Sequence, residues 1–168
     1  MSLSQPRRYR IQAFLEHHLL WATIEPTGAL IPYLNNAERK NILLQNVNAI
    51  AIDMQTNVDT FKADELWVYR DEIMAIRFFD PVSTTTVPLF PVKDKLRVFL
   101  PRLVVQGNFS RSPDTKIGDI FESTSGNWAA ATDVRIHPLL PTKAQIAPEA
   151  PVLLISKQHI QFYQPLNG

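Results

Sequence analysis

The segment LWVYRDEIMAIRF, residues 66–78, returns in weaker form as LLISKQHIQFYQ, residues 153–164, and this echo constrains the fold of the 168-residue chain more than any other feature. Shifting the sequence on itself by 87 positions lays Leu66, Val68 and Ile73 on Leu153, Ile155 and Ile160, and Arg70 on Lys157. The same shift lays residues 9–11 on 96–98, Leu30, Tyr33 and Leu34 on Ile117, Ile120 and Phe121, and residues 42–49 on 129–136. A register change of about two residues is needed to bring 19–24 onto 104–109. Apolar character repeats while identity stays low. Two copies are too few for a solenoid, so the pattern predicts a duplicated small domain: residues 4–80, a Pro/Thr-rich linker at 81–95, and residues 96–168. A single domain with chance internal similarity is the alternative.

Thirteen prolines stand against five glycines, and no helical periodicity runs beyond about three turns, which predicts a mostly β chain of short strands and loops. Residues 19–24 alternate as a half-buried strand does. EPTG at 25–28 reads as a turn, residues 29–39 as a single helical turn, and residues 41–53 as a bent strand. Residues 65–78 read as two short strands about a tight turn near Arg70 and Asp71.

This order resembles the Sm-like fold, a strongly bent five-stranded barrel. YLNNAERKNILLQNVNAI (33–50) is similar to its leucine-and-asparagine motif and LWVYRDEIMAI (66–76) to its closing motif, with IFESTSGNWAAATDVRI (120–136) and LLISKQHIQFY (153–163) in the same places of the second copy. The whole also resembles a bacterial family of duplicated small β-barrel domains that carries no assigned activity. The Sm-like resemblance implies tandem Sm-like or SH3-like barrels, self-association through strand edges, and single-stranded RNA binding by the first copy. Asn35 and Arg70 would read and hold a base, with Tyr33 and Tyr69 as stacking rings. The pattern departs from that family at Asp71, where glycine is usual, and in the second copy at Glu122 and Lys157. The plainer reading has Tyr33 and Tyr69 filling a half-buried face, Asn35 capping a turn, and Arg70 paired with Asp71 or Glu72.

Other chemistry is weakly represented. Without cysteine the chain has no disulfide and no thiolate nucleophile. EHH at 16–18 adjoins ligand-type residues, but successive strand residues face opposite ways, so no metal or cofactor is expected. Asp119 with Glu122, and Asp133 with His137, give a third reading as a hydrolase, although no nucleophile elbow or phosphate loop accompanies them. RRYR at 7–10 is a short basic cluster, and the net charge of +1 draws the whole molecule to neither nucleic acid nor membrane. MSLSQPRRYR lacks a signal peptide's apolar run, and no run approaches the roughly 18 apolar residues of a membrane span, so the expected location is cytoplasmic. Trp21, Trp67 and Trp128 are candidate interface residues on or beside strands. The expectation is a non-enzymatic, self-associating binding or scaffold module, with single-stranded RNA binding second.

Overall fold

A strand with one apolar face lies half in solvent, and a strand apolar on both faces is covered from two sides. Strand β1 (Tyr9–Phe14) is of the second kind: Ile11 and Ala13 enter one core, while Phe14 enters another. The computed structural model describes residues 7–53, 60–80, 87, 89–123 and 126–166. After β1 come β2 (His18–Ile24), a short helix α1 (Leu30–Asn35), β3 (Asn41–Ala51), β4 (Thr60–Tyr69) and β5 (Ala75–Phe78). The second half contributes β6 (Val92–Phe99), β7 (Leu103–Arg111), β8 (Trp128–Pro138), β9 (Glu149–Ser156) and β10 (Phe162–Pro165). Single 3₁₀ turns occupy Arg70–Glu72, Ile117–Asp119 and Lys157–His159.

The protein is mostly β, as the alternation predicts. Its ten strands make one open antiparallel sheet, in the order β10-β6-β7-β8-β9-β5-β1-β2-β3-β4. Within each half the order is the same, fifth strand beside first and then second, third and fourth. The halves meet where β5 pairs with β9, so a single ladder crosses the boundary expected between separate barrels. Of the expected linker, residues 81–86 and 88 lie outside the described residues, Val87 is buried in the first core, and β6 already opens at Val92.

Both halves bend at one kind of place. The β2–β3 register shifts between Trp21 and Thr23, the β7–β8 register between Gln106 and Asn108, and the residues in the left-handed region there are Asn46 and Asp133, each at φ 51°. Asparagine and aspartate tolerate this conformation better than other residues with a Cβ, and an extra residue in one strand of a pair increases its twist and bend. The two positions are 87 apart; the two-residue register change arises before them, because β2 matches β7 at 85 positions and β3 matches β8 at 87, the chain between matched positions of β7 and β8 being two residues longer than that between β2 and β3.

Bending lets each half wrap a core, but the cores are not private. The first gathers β1–β5 and α1 with Leu154 and Trp128 of the second half; the second gathers β6–β9 with Phe14, Leu19, Ile52, Met74 and Ala75 of the first. The β8–β9 connection ties the halves again, with Lys143 N–H donating to Ile52 O at 3.1 Å and the Arg77 guanidinium donating to Ala147 O. Arg77 is only 4% exposed, and burial pulls its pKa below the usual arginine value. Leu154 is fully buried in the first core although its strand belongs to the second half. Leu154→Ala is therefore expected to cost about 2–5 kcal/mol and to lower the urea midpoint of β structure in both halves together; separate transitions, only one of them shifted, would contradict this packing.

Candidate functional site

A sheet edge presents unpaired N–H and C=O groups, which makes it a template for a further strand. The edges here are β4 and β10, and both carry aromatic residues. On β4, Trp67 is 58% and Tyr69 63% exposed. On β10, Phe162 is 58% exposed and stacks on Phe99 with ring centroids 4.2 Å apart. Its neighbour Tyr163 donates its hydroxyl to Gly118 O at 2.9 Å and sets its ring edge-on against Phe121.

The internal joint shows how such edges are satisfied in this fold. Its ladder pairs Ala75 with Ile155, Ile76 with Leu154 and Arg77 with Leu153, and Ser156 N–H donates to Met74 O at 2.8 Å. Beside the ladder, α1 docks on the start of β8. Asn35 Oδ1 accepts the Asn127 N–H at 2.7 Å, and Trp128 Nε1–H donates to Leu34 O at 3.3 Å. Gln158 Nε2–H donates to Asp71 O at 3.0 Å. Gly126, at φ 85°, is pressed against the Asn35 amide so closely that a Cβ would lie 2.6 Å from Nδ2. Next to this contact lies an apolar cavity of about 230 Å³ whose walls include Ile31, Phe109, Ile120, Trp128 and Leu154.

The residues singled out for RNA separate in this geometry. Tyr33 is buried, with the Arg39 guanidinium 4.9 Å above its ring. Asn35 is engaged at the joint, Arg70 Nη1 donates to Asn36 O at 2.7 Å, and Tyr69 alone of the four stands free on the surface. Among the tryptophans, Trp128 is buried, Trp21 packs half-buried against the second core, and Trp67 is exposed. Asp119 and Glu122 are exposed, and Asp133 accepts from Asn108 Nδ2 at 3.2 Å. His17 faces Asp53 at 3.9 Å and the His18 ring lies edge-on to Phe61. Among the described residues no three His, Cys, Asp or Glu side chains gather as a metal site, and no helix is long and apolar enough to cross a membrane. Sequence reasoning missed Gly126, Asn127 and Gln158; the turn propensity of SGN at 125–127 is the local signal for the first two.

No family model matches the chain, and no curated protein or solved structure matches it either.

His159 sits beside the joint with its Nδ1 buried and unpartnered among the described residues. Burial lowers its pKa below the usual histidine value, against the opposing pull of the Glu72, Asp71 and Glu16 carboxylates. Below about pH 6.5 the unfolded chain takes up a proton here that the folded chain resists, so stability falls as pH drops through this window. His159→Gln is expected to flatten the decline in urea midpoint between about pH 7 and about pH 5; an unchanged slope would place the titrating group elsewhere.

Proposed function

We propose that the chain is a tandem duplication of a small five-stranded unit resembling the Sm-like fold, residues 4–80 and 96–168, and that it acts as a non-enzymatic scaffold assembling with copies of itself. One observation carries this reading: the two free edges are the counterparts of the two that already pair. Strand β4 stands to the first half as β9 stands to the second, and β10 stands to the second as β5 to the first. Transferring the internal ladder by 87 positions sets Phe162 against Val68 of the next copy, Tyr163 against Trp67, and Gln164 against Leu66. The exposed rings of both edges then become buried, which is where aromatic anchors contribute most to an interface. The contact is head to tail, so it closes into a ring, of roughly three chains and six units, or runs on as a filament.

The test is the mass of the full chain in solution, together with a cross-link. The protein has no cysteine, so the double variant Val68→Cys, Phe162→Cys reports only the proposed register. Oxidation is expected to yield covalent species of two or more chains, which Val68→Cys alone does not yield, and Trp67→Arg is expected to lower the mass. A species of 19.1 kDa at all concentrations, with no cross-link, would overturn the reading.

A second reading, single-stranded RNA binding by the first half, is favoured by exposed Tyr69 beside the exposed cations Arg39 and Lys40. It predicts saturable binding of a labelled RNA oligonucleotide that weakens with salt and falls about 5- to 100-fold in Tyr69→Ala; no anisotropy change at low salt would remove it.

A further inference from the structure

The two kinds of joint do not carry the same charges. Inside the chain the contact of α1 with the start of β8, beside the β5–β9 ladder, is made by neutral residues: Asn35 accepts from Asn127, with Gly126 packed against the same amide. At the free ends the corresponding positions hold Glu122 in place of Asn35, Lys40 in place of Asn127 and Arg39 in place of Gly126. Glu122, Arg39 and Lys40 are all exposed.

We infer that the contact between copies is a charged version of the internal joint, in which Glu122 of one copy takes the Lys40 amide and the Arg39 and Lys40 side chains of the next, so that ionic strength controls assembly. The inference rests on the self-association reading and adds its partner chemistry and its control. The orientation of each side has its own support. Glu122 and Asp119 lie near the β10 edge: Tyr163, whose pKa is raised first by burial, is raised further by both carboxylates. Lys40 lies at the β4 edge, because its carbonyl accepts the Arg70 N–H at 2.8 Å just beyond Tyr69. Asp119 stands where the internal joint has Pro32 and adds a second carboxylate to the acidic side.

The transfer also removes a bond. Gln158 donates to Asp71 O inside the chain, and the transferred contact offers the Asp71 carboxylate to Gln158 O, two acceptors facing each other. The contact between copies therefore leans on its charges where the internal one does not. Exposed pairs of this sort are screened within a Debye length of about 8–10 Å at ordinary salt.

The experiment is sedimentation of the full chain at about 50 mM and about 500 mM salt, for the native protein and three variants. The native protein is expected to assemble at low salt and to weaken about three- to tenfold in apparent Kd at high salt. Glu122→Lys is expected to abolish assembly, and Glu122→Lys combined with Lys40→Glu to restore it. Glu122→Asn, which writes the internal residue into the external joint, is expected to assemble more weakly than the native protein at low salt, with most of the salt dependence gone. Assembly that ignores both salt and Glu122→Lys would overturn the charged joint and leave the self-association reading standing. A single-chain mass in every condition, with no Val68–Phe162 cross-link, would overturn both.

Discussion

The pairing of β5 with β9 is the constraint on which the rest of the molecule depends. It is short, three register pairs from Ala75 to Arg77, yet β5 is buried along its whole length between β1 and β9. An unpaired buried backbone group costs about as much as a lost hydrogen bond, so β5 requires a partner on each side and finds the second in the other half of the chain. The groups flanking the ladder are satisfied in the same way, through Asn35, Trp128 and Gln158. A small unit with a free edge on each side has one edge filled by its own sequel.

The bulges at Asn46 and Asp133 make that arrangement possible. They bend β3 and β8 so that one sheet surface closes over a core, and the bend turns the other surface outward. In the first half that outward surface is itself apolar: Phe14, Leu19 and Ile52 are buried only because they belong to the second half's core. The second half covers them with β6–β9 and with the β8–β9 connection, where Ala144 is buried and Lys143 bonds Ile52. Cohesion between the halves thus combines an edge ladder with a face of apolar packing.

Much of this was legible in the sequence, for local reasons. Alternation at 19–24, the turn at 25–28 and the break at Arg70 are each set by neighbours in the chain, and they appear as β2, the bend before α1 and the 3₁₀ turn between β4 and β5. The two halves share one strand order, and the two-residue register change falls between β7 and β8, where the chain between matched positions is two residues longer than that between β2 and β3. What alternation does not encode is which edge meets which. Ile76 meeting Leu154 is a contact of 78 positions, and no propensity distinguishes a β9 that closes its own barrel from one that pairs with β5. Asn35 is the instructive case. As a residue type it suits a turn or a base, and only the docking of α1 on β8 turns it toward the Asn127 amide. Tyr33 is similar, since the ring that could stack on a base is instead buried beneath Arg39.

The difference between the inner joint and the outer ends follows from tethering. Two halves in one chain meet at an effective concentration of roughly millimolar order, so a three-pair ladder backed by the shared apolar face holds them. Separate copies meet at their actual, lower concentration and also lose translational and rotational freedom, so an identical ladder between chains would be too weak. The substitutions at the outer ends run in the compensating direction. Trp67 stands where the inner joint has Leu154, Phe162 where it has Ala75, and Glu122, Lys40 and Arg39 stand where it has Asn35, Asn127 and Gly126. Larger rings add apolar area that only a partner can bury, and the charges add an attraction that operates before contact and confers orientation. In the proposed contact between copies both contributions add to the ladder, whereas the inner joint has the tether and the shared apolar face in their place.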